Sequence, residues 1–292
     1  MKTFKFSLQF FFLMMCGTGV FSQTQPVKIE LYSKGSLLNA FFYQGSAAKL
    51  GPVVILLHGW PGNADNPMGL APKICAGGIN VLVFNFRGTW GSQGYYSNKN
   101  SVEDISEAIH FLKQKNISEK YGIDTSQIIV AGYSLGGGAT MTAALHDPEV
   151  KKVISIAGAD LSVFIRMLAA DRQFRSNFEE RTRSQSGEGG LAKIEGDISA
   201  FVDDLIKNID YFDLVKNAEL LKSKEILFLV GWDDTTGKME ENALPLYRKL
   251  KQLKAPYVSI AAFTDNHAFT NSRDDLAKAI VEWIKKENGG HN

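Results

Sequence analysis

The hydrophobic positions of the chain form short, continuous apolar runs that alternate with longer polar segments. Such runs, rich in β-branched residues, predict strands buried on both faces of a parallel sheet. Six of them follow residue 50, and they are VVILLHG (53–59), INVLVFNF (79–86), QIIVAG (127–132), KKVISIAG (151–158), EILFLVG (225–231) and YVSIAAF (257–263). Two earlier runs, VKIELYS (27–33) and SLLNAFFYQ (36–44), flank Lys34-Gly35 and predict an antiparallel hairpin.

Segments with helical spacing of apolar residues lie between these runs. The segment 101–114 begins at Ser101 with an acidic residue three positions later, which is typical of a capped helix start. Its apolar positions 102, 105, 109 and 112 share one face of the predicted helix. Segments 241–253 and 272–287 have similar patterns. Alternating strands and helices predict an α/β fold with a mostly parallel, doubly wound sheet of eight strands, which the hairpin makes mixed at its leading edge.

No strand run occurs between residues 160 and 222, and sixty residues are too many for a plain connection in a compact domain. Apolar residues recur there at helical spacing, at Leu161, Phe164, Ile165, Leu168 and Phe174. We therefore predict that residues 160–222 form a helical cap insertion over the carboxyl edge of the sheet. The core would then comprise residues 23–159 and 223–292. A disordered loop is the alternative, favoured by RTRSQSGEGG (181–190).

The first 22 residues have the layout of a secretory signal peptide, with two lysines, an apolar stretch from Phe10 to Met15 and small residues after it. They predict an exported protein, periplasmic or extracellular. A membrane anchor would need a longer apolar core, and a lipoprotein cysteine at Cys16 follows an unfavourable Met15. No later segment is apolar enough to span a membrane. Cleavage would leave Cys75 as the single cysteine and so no internal disulfide.

The net charge and the absence of cofactor-binding motifs limit the classes of ligand that the sequence predicts. The 292-residue chain has a formal net charge of +1, so no basic field indicates a nucleic-acid partner. No H-E-x-x-H sequence, pair of cysteines or dinucleotide-binding glycine fingerprint stands in a suitable context. The sequence therefore predicts neither a metal nor an organic cofactor, and a small molecule is the expected substrate. The oligomeric state is open.

A glycine-rich turn at 132–136, GYSLG, follows one predicted strand and precedes a helix-like segment. This is the context in which a G-x-S-x-G sequence holds a nucleophilic serine, here Ser134, in a tight strand-to-helix turn. The flanking glycines allow close backbone approach, and the helix N-terminus directs amides and its dipole towards a developing oxyanion.

A serine hydroxyl needs a base to react at neutral pH. Of the five histidines, at 58, 110, 146, 267 and 291, only His267 follows the last predicted strand in a loop before a helix. Loops at the carboxyl ends of strands are where doubly wound folds bind ligands. Three aspartates at strand ends are candidates for the group that orients the imidazole, namely Asp160, Asp233 and Asp234. The chain order Ser134, Asp234, His267 is the one expected with such a serine turn.

From residue 27 to 288 the chain resembles the α/β-hydrolase superfamily, on the GYSLG turn, HGWPG (58–62), the FNFRGTWGSQG loop (84–94) and the strand count. The family often carries its acid as G-x-x-D after the seventh strand, which favours Asp234. The resemblance further implies an oxyanion hole made by the backbone amides of Trp60 and Leu135. It implies structural roles for His58 and Arg87.

A serine alkoxide adds to a carbonyl carbon, so the resemblance implies a serine hydrolase that cleaves carboxylic esters through an acyl-enzyme. A single-domain peptidase of the prolyl oligopeptidase type, acting on short peptides or acyl-peptides, is the alternative. The family's epoxide hydrolases carry an aspartate where this chain has Ser134. A non-catalytic binding protein on the same fold would be expected to have a damaged triad or serine turn, and neither is damaged here.

Overall fold

The computed structural model describes residues 25–45, 50–64, 67–187 and 190–289, so the predicted signal peptide lies outside the described residues. Every strand run predicted from the sequence is a strand of one sheet in this part of the chain. The strands are β1 (Val27–Ser33), β2 (Ser36–Tyr43), β3 (Gly51–Leu57), β4 (Asn80–Phe84), β5 (Ile123–Tyr133), β6 (Lys152–Ile156), β7 (Glu225–Gly231) and β8 (Val258–Phe263).

The spatial order of the sheet is β1-β2-β4-β3-β5-β6-β7-β8. β2 pairs antiparallel with both β1 and β4, and every other pairing is parallel. All five residues of β4 are buried, as are the last five of β3, because helices cover both faces of the sheet. The predicted mixed edge and the predicted doubly wound α/β architecture are confirmed.

Ten α-helices accompany these strands in the described residues. They are α1 (Leu70–Ala76), α2 (Asn98–Lys113), α3 (Lys115–Tyr121), α4 (Leu135–His146), α5 (Leu161–Ala170), α6 (Arg172–Gln185), α7 (Ile198–Lys207), α8 (Ile209–Phe212), α9 (Ala243–Gln252) and α10 (Arg273–Gly289). One apolar cluster packs α2, α4 and α9 against the sheet through Ile105, Met141 and Leu246. A second cluster packs α1 and α10 against the sheet through Ile74 and Ile280.

Two elements begin at least three residues before their predicted starts. β5 begins at Ile123 and not at residue 127, because Ile123 pairs with Gly51 of β3 ahead of a polar stretch that hides the pattern. α2 begins one turn before the predicted start. Its N-cap is Ser97, whose hydroxyl accepts a hydrogen bond from the Asn100 amide (3.0 Å), whereas Ser101 is buried inside the helix.

The segment predicted as a cap is largely helical, with α5 to α8 and a short 3₁₀ turn after them, but the described residues between α6 and α7 form bends and isolated bridges instead of helix. These helices share a small apolar cluster of their own, made of Leu161, Ile165, Leu168, Val202, Leu205 and Phe212. Contacts with the remainder of the fold include the stacked rings of His146 and Tyr211, 3.8 Å apart. The division into core and cap domains at 160 and 222 stays a prediction.

None of the helices in the described ranges combines the length and the apolar character that crossing a bilayer requires. Cys75 is buried, and its thiol donates to the carbonyl of Gln44 (3.0 Å).

Candidate active site

Ser134 lies between β5 and α4 in a strained backbone conformation, with φ 53° and ψ −118°. Its amide donates to the carbonyl of Ile156 at the end of β6 (2.9 Å). Its carbonyl accepts from the amides of Gly138 and Ala159 (3.1 Å each). A positive φ is uncommon for serine, and these bonds from two neighbouring elements hold the residue there. The turn therefore presents the hydroxyl at the carboxyl edge of the sheet.

The two glycines of the G-x-S-x-G sequence are required by close backbone contacts. A Cβ at Gly132 would lie 2.2 Å from the carbonyl oxygen of Gly136. A Cβ at Gly136 would lie 2.5 Å from the carbonyl oxygen of His58. Both distances are too short for any side chain, so only glycine permits this packing of turn, helix and HGWPG segment.

His267 connects the serine to a carboxylate. Its Nε2 lies 3.0 Å from the hydroxyl oxygen of Ser134, and its Nδ1 lies 2.7 Å from Oδ2 of Asp234. The Asp234 side chain is 1% exposed and that of His267 19%. An Nδ1–H that donates to the carboxylate leaves the Nε2 lone pair free to accept the serine proton. The structure thus brings together the three residues that the sequence predicted as catalytic.

The other candidate acids have different partners. Asp233 is exposed, and its amide donates to the carbonyl of Asp265 (3.0 Å). Asp160 is the N-cap of α5, where Oδ1 accepts from the amide (2.9 Å) and the hydroxyl (2.7 Å) of Ser162. Asp234, the residue favoured by G-x-x-D, is the aspartate that contacts His267.

Two amides fix the Asp234 carboxylate. Its Oδ1 accepts from the amides of Thr236 (2.8 Å) and Gly237 (2.7 Å), which leaves Oδ2 for the histidine. A Cβ at Gly237 would lie 3.0 Å from Cε1 of His267 and 3.3 Å from Oδ2 of Asp234. Gly237 was not predicted from the sequence, and the DDTTG order after β7 is the signal that could have identified it.

Asp265 holds the loop that carries His267. Its Oδ1 accepts from the Asn266 amide (2.8 Å), and its Oδ2 accepts from the amides of Asn271 and Ser272 (2.8 Å each) and the Ser272 hydroxyl (2.7 Å). These hydrogen bonds, the Ser272 hydroxyl foremost, lower the pKa of the carboxyl to about 2. Asp265 was not predicted from the sequence, although it stands two positions before His267.

The predicted oxyanion-hole segment packs directly on the serine turn. A Cβ at Gly59 would lie 3.0 Å from Cβ of Ser134 and 3.0 Å from Cδ1 of Tyr133. Among the described residues, the amides of Trp60 and Leu135 have no hydrogen-bond acceptor. The assignment of these two amides to an oxyanion hole stays a prediction.

Arg87 and His58 have the surroundings of structural residues. Arg87 is buried, and its guanidinium binds Asp104 and Glu103 (2.5 Å each) and the carbonyl of Asn100 (3.0 Å). It therefore ties the loop after β4 to α2.

His58 is buried against the ring of Phe86, and its Nδ1–H donates to the carbonyl of Gly59 (2.8 Å). Burial lowers the pKa of His58 to about 4, so the ring is neutral at physiological pH.

We expect His58 to make the folded protein less stable as the pH falls from 6.5 to 4. In this window the unfolded chain binds a proton on His58 that the folded chain excludes, because Nε2 is buried without a partner among the described residues. A pKa lowered from 6.5 to about 4 corresponds to a loss of ~3 kcal/mol across the window. Chemical unfolding of the wild type and His58→Asn at several pH values measures it. An equal pH dependence in the two proteins would contradict the expectation.

Comparison with known proteins agrees with this architecture. The family model described as alpha/beta hydrolase fold matches residues 52–204, which is half of the chain. A Pyrococcus furiosus esterase structure is similar with a TM-score of 0.64 and 17% identity, over 90% of this chain and 93% of the esterase chain. A Mycobacterium tuberculosis puromycin-hydrolyzing peptidase structure gives a TM-score of 0.67 and 18% identity, over 91% of this chain and 40% of the peptidase chain.

Among curated proteins, a thiohydrolase of Arthrinium phaeospermum is 33% identical over 134 residues. That match covers 43% of this chain and only 40% of the thiohydrolase. The similarity to the two structures concerns the fold alone, whereas the family model matches the strands and turns that carry Trp60 and Ser134. The chain therefore belongs to the alpha/beta hydrolase fold family.

Proposed function

We propose that this protein is a serine hydrolase that cleaves carboxylic esters through an acyl-enzyme intermediate. The observation that carries the proposal is the hydrogen-bonded series from Ser134 through His267 to Asp234, with distances of 3.0 and 2.7 Å. The strained serine turn and the helix that begins at Leu135 add to it. A nucleophile, its base and an orienting carboxylate in this arrangement are what acyl transfer needs.

In the proposed reaction, Nε2 of His267 takes the proton of Ser134 as the serine oxygen bonds to the ester carbonyl carbon. The carbonyl oxygen becomes an oxyanion, to which the amides of Trp60 and Leu135 donate. The carbon–oxygen bond to the alcohol then breaks, and His267 gives its proton to the departing alkoxide. Water, deprotonated by His267, then attacks the carbonyl carbon of the acyl-enzyme, and His267 returns that proton to the oxygen of Ser134 as the bond to the acyl group breaks and the carboxylic acid leaves.

The peptidase alternative uses the same three residues, because His267 could protonate a departing amine as well. Recognition of short peptides by their terminal ammonium would need an unengaged carboxylate near the site. Glu179 on α6, one carboxylate of the cap segment, already accepts from Arg175 (2.7 Å) and from the Ser199 hydroxyl (2.9 Å). Glu179 is therefore not available to bind such an ammonium group.

A panel of p-nitrophenyl esters with short and long acyl chains, assayed beside aminoacyl and dipeptidyl anilides, tests the proposal. We expect kcat/KM for the esters to exceed that for the anilides by about 100-fold or more, beyond the reactivity difference measured in buffer without enzyme. Equal or greater values for the anilides would replace the esterase proposal with the peptidase. No turnover of either class would contradict both.

We propose that residues 1–22 direct export and are removed, because their charge and apolar pattern fit a signal peptide. Mass spectrometry of the protein recovered from an exporting host would show whether Gln23 is its first residue.

We also propose that residues 160–222 act as the cap of the substrate site, because α5 begins directly after β6 at the carboxyl edge of the sheet.

A further inference from the structure

A cleft of about 410 Å³ opens beside the serine turn. Its walls include the whole HGWPG segment (58–62) and Tyr133, the residue before Ser134. The ring of Tyr133 lies 5.1 Å from the ring of His267, centroid to centroid. The cleft therefore adjoins the serine turn, since a Cβ at its wall residue Gly59 would lie 3.0 Å from Cβ of Ser134, and it is large enough for one ring of a small substrate.

The walls of this cleft are aromatic and apolar. They comprise, among others, the side chains of Trp60, Pro61, Pro67, Met68, Trp90 and Tyr133. Indole and phenol faces and a thioether favour contact with another flat ring, because their contacts with aromatic groups add to the energy of burying apolar area. An aliphatic group of equal size gains the burial alone.

The described walls of the cleft carry no formal charge at neutral pH. Two of the wall residues are titratable, and both are neutral at this pH. Burial lowers the pKa of His58 to about 4, and burial raises the pKa of the Tyr133 hydroxyl. A carboxylate that entered would lose hydration without meeting a cation, which is unfavourable. An ammonium group that entered would likewise find no carboxylate among the described wall residues.

We propose that this cleft binds an uncharged aromatic ring of the substrate and makes the enzyme selective for neutral aromatic esters. The inference rests on the proposed esterase function and adds the substrate class. The ring can belong to the acyl part or to the alcohol part of the ester, since both meet at the carbonyl carbon that Ser134 attacks. Trp90 is the side chain best suited to a test, because its backbone carbonyl is held by Asn39 (3.2 Å) and Asn85 (2.9 Å) whatever its side chain.

Two pairs of esters show whether the bound ring belongs to the acyl part or to the alcohol part. Within each pair, the aromatic and the aliphatic ester have similar chemical reactivity. Methyl phenylacetate against methyl cyclohexylacetate has the ring in the acyl part, and benzyl acetate against cyclohexylmethyl acetate has it in the alcohol part. We expect the aromatic member of one pair to have a kcat/KM roughly tenfold higher, from two or more aromatic contacts. Ratios near one in both pairs would overturn the inference.

Substitutions of Trp90 in the cleft wall test whether the cleft causes the selectivity for aromatic esters. Trp90→Leu should reduce the aromatic ratio to about threefold or less, and Trp90→Phe should retain most of it. Trp283→Leu is the matched control, because Trp283 is also partly buried but lies on α10 beside a different pocket. It should leave the ratio unchanged. An equal loss of ratio in the Trp90 and Trp283 variants would overturn the assignment.

Binding to Ser134→Ala tests the cleft without turnover. Calorimetry should show that benzamide binds and that benzoate, the same ring with a negative charge, binds at least about tenfold more weakly. Failure of benzamide to bind overturns the inference even if esters are hydrolysed. Binding of benzamide by a protein that hydrolyses no ester would support the cleft and contradict the esterase proposal.

Discussion

Ser134→Ala should abolish ester hydrolysis and labelling by a fluorophosphonate probe while the protein stays folded. The change removes only the hydroxyl that lies 3.0 Å from Nε2 of His267. The backbone bonds that hold the turn, to Ile156, Gly138 and Ala159, do not involve the side chain. Loss of the nucleophile from such a unit lowers kcat by roughly 10⁴- to 10⁶-fold, and what remains comes from binding and the oxyanion hole.

Initial rates, probe labelling and a thermal unfolding curve measure this result on one preparation. Ser184→Ala is a matched control, because Ser184 is exposed on α6 and its hydroxyl only donates to the carbonyl of Arg181 (2.8 Å). It should be labelled like the wild type. Labelling of Ser134→Ala at the wild-type rate would show that another residue is the nucleophile.

Asp234→Asn should lower kcat by roughly 10⁴-fold without unfolding the protein. The amides of Thr236 and Gly237 need an acceptor, so the Asn oxygen should take the place of Oδ1. The Asn NH₂ group would then face Nδ1 of His267 as a donor. Nδ1 must accept, the proton moves to Nε2, and Nε2 can no longer take the serine proton.

The other two aspartates are the controls for this prediction. Asp233→Asn alters an exposed side chain, and Asp160→Asn keeps an oxygen that can cap α5 through Ser162. Each should change kcat by less than about tenfold. A mild Asp234→Asn together with a severe Asp233→Asn or Asp160→Asn would refute the assignment of Asp234 as the triad acid.

The central strands were predictable because a strand buried on both faces is apolar at every position. A surface helix of the same length is apolar on one face only, so its apolar residues are spaced three or four apart. β5 shows where this signal ends, since the polar residues 124–126 separate Ile123, which pairs with Gly51 of β3, from the apolar run. The start of α2 shows the same limit. Ser97 and Ser101 are both suitable caps, and the bond from the Asn100 amide to Ser97 decides between them.

The sequence by itself determined the eight strands, their order along the chain and the residues of the serine turn, because these depend on local patterns and on the steric need for Gly132 and Gly136, whereas the short helices α1 and α3 were not predicted. Only the tertiary structure decided what His267 contacts. Asp160, Asp233 and Asp234 follow neighbouring strands, and their side-chain directions depend on turns whose hydrogen bonds cross between elements. Gly237 belongs with them, since its close approach to His267 forms only when the loop after β7 meets the histidine loop.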